Sequence, residues 1–217
     1  MCNYGFTALH VAAENGNERV ARLLLTYGAN PNAESRTGRR LLHCAVKSHN
    51  PQIVQALIER GVDVDADDQW GYRPLYEAAY EGALNVVETL VESGADINRR
   101  SSGVRPLHCA VIGCHLQIVK YLVERGADVN GLADYARTPL DRAVDNARRI
   151  EIVKYLISNG ADLNAREELR ARTALFSAIH HRCLEIVHLL VDSGASVDVR
   201  DSSGVTELCK MCCNGCP

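Results

Sequence analysis

Aromatic side chains are scarce, with two phenylalanines, one tryptophan and eight tyrosines in 217 residues. Any core must therefore be aliphatic. No apolar run approaches the roughly 18 residues needed to cross a bilayer, and the first residues, Met1-Cys2-Asn3-Tyr4-Gly5, lack the basic and then apolar segments of a signal peptide. Net charge is also small, at −3, which excludes a general attraction to nucleic acid or to an anionic membrane. Missing too are a Gly-x-Gly-x-x-Gly turn, a phosphate-cradling Gly-Lys-Ser/Thr loop and a His-Glu-x-x-His pair. Neither a cofactor nor a small-molecule substrate is expected. The composition, 47% hydrophobic and 24% charged, is that of a soluble folded chain.

Nine cysteines are present, but their positions do not suggest disulfides. Cys44 and Cys109 recur at the same place in segments two repeats apart, and stacked helices sit about 8–10 Å from one another. That separation exceeds the reach of a disulfide. Most of the cysteines read as small buried hydrophobes in a reducing compartment, the cytoplasm or the nucleus.

What the sequence does contain is a repeat. Leu9, Leu42, Leu75, Leu107, Leu140, Leu175 and Leu208 follow one another at 33, 33, 32, 33, 35 and 33 residues. A second column, Gly28, Gly61, Gly94, Gly126, Gly160 and Gly194, keeps phase with the first. Such a period means stacked supersecondary units. Each unit reads as two helices and a turn. Thr7, or the prolines Pro74 and Pro139, suit the start of a first helix. Small pairs such as Ala12-Ala13 and Ala78-Ala79 let neighbouring units approach. Val20, Leu23 and Leu24, matched by Ile53, Ala56 and Leu57 and by Ile118, Tyr121 and Leu122, predict the buried stripe of a second helix. An extended stretch such as Ala95-Asp96-Ile97-Asn98 then leads onward.

The strings Gly5-Phe6-Thr7-Ala8-Leu9-His10-Val11-Ala12-Ala13 and Gly126-Ala127-Asp128-Val129-Asn130 resemble the ankyrin repeat, and the likeness runs nearly from end to end. It implies an all-α repeat solenoid of antiparallel helix pairs joined by hairpin-like fingers, with a concave face of fingers and first helices. The repeats are expected at about 4–35, 36–68, 69–100, 101–133, 134–168 and 169–201, with a partial seventh at 202–217, in one array. The family is one of binding modules without catalysis. A ubiquitin-ligase adaptor's substrate-recognition part, or the targeting domain of a larger protein, is the alternative.

Departures from the pattern are informative. Arg40, Arg73 and Arg105 replace the capping threonine, each at a cost of about 1 kcal/mol unless it finds another partner. Repeat 5 has Asp141 for histidine, Ala136 for glycine and an extra residue near 146–149, so the least regular region is expected there. Repeat 1 starts with Val11 and Leu23 lacking an obvious polar cover, and repeat 7 stops before its second helix. Both features predict a fragment of a longer protein or dependence on a partner.

Candidate chemistry is thin. His10, His43 and His108 share one column a repeat or more apart, which suits a structural bond and not a metal. Cys209, Cys212, Cys213 and Cys216 resemble zinc spacing, yet their register runs along one helix face, so no metal site is expected. Cys183 near His180 and His181 sits in the turn between helices, as Cys114 does, and does not make a nucleophile. Arginine pairs at 39–40, 99–100 and 148–149 alternate with Asp63, Asp65, Asp67 and Asp68, a mixed-charge edge and not a nucleic-acid surface. Binding is expected from non-framework positions: Arg39, Lys47, Trp70, Tyr72 and Tyr80, with Val104, Ile112, Tyr135, Arg137 and Arg142. Trp70 is the only tryptophan, and buried aromatic and arginine residues are the usual anchors of a protein interface. The partner is expected to be a protein.

Overall fold

The computed structural model describes residues 5–146, 149–200, 202, 204 and 206. The chain divides into two compact units, residues 1–102 and 103–217. The terminal cysteines at 209–216 lie outside the described residues, as does the proposed seventh repeat beyond position 206.

In the first unit, α1 (Ala8–Glu14) pairs with α2 (Glu18–Thr26), α3 (Leu41–Lys47) with α4 (Pro51–Ile58), and α5 (Pro74–Glu81) with α6 (Leu84–Glu92). The second unit repeats the plan with α7 (Pro106–Ile112) and α8 (Leu116–Glu124), α9 (Pro139–Ala143) and α10 (Ile150–Ser158), and α11 (Ala174–His180) and α12 (Leu184–Asp192). Each unit is an all-α repeat stack. First helices pack closely because the small residues that let repeats approach, Ala13, Ala45 and Ala78 among them, are fully buried. The leucine column follows them inward, with Leu42, Leu75 and Leu107 at 2% exposure or less. Burying each such side chain contributes about 1.5–3 kcal/mol, and no helix pair could supply that cover alone.

The second-helix stripe differs at repeat 1. Ile53, Val54, Ala56 and Leu57 are buried in α4, and Ile118, Val119 and Leu122 in α8. In α2, however, Ala21 and Leu25 are buried whereas Val20 and Leu23 are 40% and 56% exposed. Val11 and Tyr27 share that exposure. The same register thus holds, but the side of the stripe that meets a preceding unit in other repeats faces solvent here.

Fingers are turns closed by single backbone bonds, such as Ser35 N–H to the Arg39 carbonyl at 3.0 Å, Asp68 to Tyr72 at 2.9 Å and Ala133 to Arg137 at 2.8 Å. Isolated bridges, Glu34 with Arg40 and Arg200 with Thr206, take the place of extended strands among the described residues. Ahead of each finger an Asx turn recurs. The side chains of Asn30, Asp63, Asp96, Asp128 and Asp162 accept the N–H two residues on at 2.9–3.0 Å. The residue two positions on then reaches the following repeat, Asp65 accepting Asp96 N–H at 3.1 Å and Asn164 accepting Ser196 N–H at 2.9 Å.

As expected, Arg40, Arg73 and Arg105 make no side-chain cap. Their length is used on neighbouring fingers instead. Arg40 Nε donates to the Asp67 carbonyl at 3.0 Å, Arg105 Nε to the Leu132 carbonyl at 3.4 Å, and Arg73 grips the Asp67 carboxylate through Nε and a terminal nitrogen at 2.7 and 3.2 Å.

Repeat 5 is irregular where the extra residue and the missing glycine predict it. Its finger contains a 3₁₀ turn, Asp134–Ala136, with Tyr135 and Ala136 both at positive φ, and α9 is only five residues long. Between helices, Gly82 ends α5 in the left-handed conformation, but His49, Cys114 and Arg182 adopt the same backbone at φ 54°, 62° and 57°. Cys114 and Cys183 both lie between helices, as expected, though at different places in the turn. Arg182 holds the turn position, and Cys183 is the N-cap of α12.

A side chain at this left-handed position costs about 1–2 kcal/mol. His49→Gly is therefore expected to stabilise the protein by about 1 kcal/mol, raising the thermal midpoint by roughly 2–4 °C, measured by circular dichroism against wild type. An unchanged or lowered midpoint would show that His49 gains an offsetting contact.

Candidate functional site

The face built by fingers and first helices is organised by two recurring contacts. One is the histidine column. His10, His43 and His108 place Nε2 at 3.3, 2.9 and 3.0 Å from the carbonyls of Arg39, Tyr72 and Arg137, each on the next repeat's finger. The bond to a carbonyl needs a protonated Nε2, which neutral imidazole supplies. Burial pulls the pKa of His10 and His43 down and so favours that form. His10 also completes a capping box, its Nδ1 2.8 Å from the Thr7 hydroxyl. Asp141 takes over this capping role in repeat 5, accepting from Thr138 N–H and hydroxyl at 2.8 and 2.9 Å. A carboxylate has no donor to send to the next finger, so that half of the histidine's work is lost.

The second contact is a fold-back of the finger residue onto the side chain or carbonyl four positions later. Phe6 stacks on His10, Tyr72 stacks on Tyr76 at 4.8 Å, and Arg172 lies 4.4 Å over the Phe176 ring. Arg39 and Arg137 instead donate to the carbonyls of His43 and Asp141, both at 3.2 Å. Each also pairs with a carboxylate, Arg39 with Glu77 at 3.0 Å and Arg137 with Asp145 at 3.0 Å. Glu77 is a residue that the sequence reading missed. Its column holds Cys44 and Cys109 elsewhere, both buried, so a carboxylate there signals a built-in partner. Burial raises its pKa to about 6, against the opposing pull of Arg39.

The ten expected binding residues therefore separate into two groups. In the first unit, Trp70 and Tyr80 stand 52% and 48% exposed. Lys47 is exposed and loosely paired with Glu14 at 3.6 Å. Arg39 and Tyr72 are half-buried and engaged as above. Trp70 rides on a fixed turn, since the buried Asp68 carboxylate accepts both Trp70 and Tyr72 N–H at 2.9 Å. In the second unit, Tyr135 is 56% exposed, Val104, Ile112 and Arg142 are half-buried, and Arg137 is held by Asp145.

The fingers of repeats 1 to 3 also enclose a recess of about 500 Å³ where Arg40, Arg73 and Arg99 alternate with Asp63, Asp65 and Asp67. Acid and base there largely neutralise each other, in keeping with the mixed-charge reading. Among the described residues, no group of three or more His, Cys, Asp or Glu could hold a metal ion, and no helix is long and apolar enough to cross a membrane.

Profiles of the ankyrin repeat match residues 1–35, 9–101 and 99–167, and a single-repeat profile matches 171–202. The chain belongs to the ankyrin-repeat family. Solved structures agree. The human ASB11 ankyrin repeat domain superposes with a TM-score of 0.85 at 28% identity, over 94% of this chain and 90% of that one. The ankyrin repeat domain of Bcl-3, described as a unique member of the IkappaB protein family, gives 0.84 at 29% identity, over 94% and 93%. No curated protein matches the sequence. Ankyrin repeats are a protein-interaction scaffold and not generally a catalytic one, and this chain is a protein-interaction module.

Glu77 supplies a pH test. Its folded pKa of about 6 stands above the unfolded 4.5, so its contribution is fully present below 4.5 and is lost as pH rises through 6. Glu77→Gln should abolish this loss. Relative to wild type, the variant is expected to gain about 2 kcal/mol between pH 4.5 and 7, read by urea unfolding across that range. A constant difference across the range would refute the raised pKa.

Proposed function

We propose that the chain binds a protein partner through the finger-and-first-helix face, with Trp70 as the anchor in the first unit. The observation that carries this reading is the exposure of the sole tryptophan on a turn fastened by Asp68. Large apolar residues left uncovered on a rigid element cost little entropy to dock, and interface energy concentrates on such aromatics. Tyr80 and Lys47, from first helices of the same unit, complete an aromatic centre with a charged edge. Arg39 and Tyr72 support the face from beneath by their contacts with Glu77 and Tyr76. In the second unit, Tyr135, Val104, Ile112, Arg137 and Arg142 supply the corresponding surface. Catalysis, metal and cofactor have no part in this function, and the reducing cytoplasm or nucleus is its setting.

Affinity capture with the intact chain and with Trp70→Ala, compared side by side by quantitative mass spectrometry, tests the reading. The variant should lose more than about tenfold of its specific partner while helical content by circular dichroism stays unchanged. Equal recovery of the same partner by both proteins would remove Trp70 from the site.

A further inference from the structure

Among the described residues, the column two positions after the framework leucines runs Val11, Cys44, Glu77, Cys109, Arg142 and Ser177. Cys44 and Cys109 are buried there, at 0% and 1% exposure. Two members carry charge. Glu77 meets the guanidinium of Arg39 at 3.0 Å. Among the described residues, Arg142 makes no ion pair. Its Nε is buried and has no hydrogen-bond partner. Asp145 is taken by Arg137 at 3.0 Å, with His181 Nε2 a further 3.5 Å contact, and Asp141 is occupied by Thr138. Burial and the neighbouring charge of Arg137 both pull the Arg142 pKa down, a sign of a cation in an unfavourable place.

A second guanidinium adds to the imbalance. Arg149 donates to the Arg142 carbonyl at 2.6 Å, to the Ile112 carbonyl at 2.8 Å and to Cys114 Sγ at 3.3 Å. All three acceptors are neutral, so Arg149 ties the ends of α7 and α9 together without compensating its charge. Two cations without an ion-pair partner among the described residues therefore stand together in repeat 5, and the terminal nitrogens of Arg142 donate no bond there.

We propose that Arg142, backed by Arg149, is an anion-recognition point that receives a carboxylate side chain from an acidic segment of the protein partner. The assignment rests on the reading that this face binds a protein, and it specifies that partner's chemistry. A planar guanidinium presents two parallel donors that match one carboxylate. With each nitrogen of Arg149 already bonded within its own chain, the fork of Arg142 is the main one on offer, which suits one negative charge better than a phosphate dianion. Asp134, Asp141 and Asp145 act on Arg142 from a distance and disfavour the more highly charged anion most.

The probe is fluorescein-labelled hexaglutamate, titrated by anisotropy onto the intact chain at low ionic strength, where surface charge is least screened. Arg142→Met should weaken binding at least about fivefold, whereas Arg170→Gln, which removes an exposed charge elsewhere in the same unit, should not. Because an unpaired, half-buried cation is lost, Arg142→Met is also expected to raise the thermal midpoint. A merely structural arginine would lower it. Unchanged hexaglutamate binding in Arg142→Met, an equal loss in Arg170→Gln, or a lowered midpoint would each overturn the site. Displacement of the probe by inorganic phosphate at concentrations where free glutamate has no effect would overturn the carboxylate assignment. If Arg142→Met binds the probe normally while Trp70→Ala still loses its partner, only the anion point fails and the docking face stands.

Discussion

Three of the repeats depend on a bond that none can make alone, from a histidine on the first helix to the finger backbone of the repeat that follows. His10, His43 and His108 make it with nearly the same geometry, each reaching a carbonyl 29 residues ahead. Hydrophobic burial supplies the larger free energy but is indifferent to small slips between helices. The imidazole is directional. By holding the carbonyl of Arg39, Tyr72 or Arg137, it decides where that residue's side chain begins, and hence what the side chain can lie upon.

The binding face follows from that placement. A finger residue whose carbonyl is pinned folds back over the helix just ahead, as a stacked ring at Tyr72 or a guanidinium at Arg39 and Arg137. Residues beyond the pin, Trp70 above all, are carried outward on turns closed by Asp68. Charge in the column under the face is then conspicuous. Glu77 is answered from within the chain, Arg142 is not, and the difference separates a structural ion pair from a candidate recognition point.

Much of the fold was legible because the repeat is written in backbone requirements. The leucine and glycine columns and the prolines at the first helical position each have a local physical cause and appear as expected, whereas the Asp-x-Asn segment, expected as an extended stretch, closes into an Asx turn. The failures are equally local. The stripe of α2 was read correctly in register, but exposure at Val20 and Leu23 depends on what lies alongside, which periodicity does not encode. Within the turn between α11 and α12 it is Arg182, not Cys183, that takes the left-handed backbone, and such a backbone leaves no mark in the sequence when glycine is not used. On the binding face, residue type pointed to Arg39 and Tyr72 as readily as to Trp70. Only the fold-back geometry distinguishes those already engaged from those still available.

Asn130 differs from Asp65, which holds the same place in its own repeat. Its carboxamide donates to the Gly160 carbonyl at 2.9 Å and accepts from Asp162 N–H at 2.7 Å. Asp65, in the matching place, accepts from Asp96 and has nothing to give in return. The tethers along the chain are thus of two kinds, one-way and reciprocal. An exchange of amide for acid at position 130 would leave size and shape untouched and still convert a mutual handclasp into a single grip.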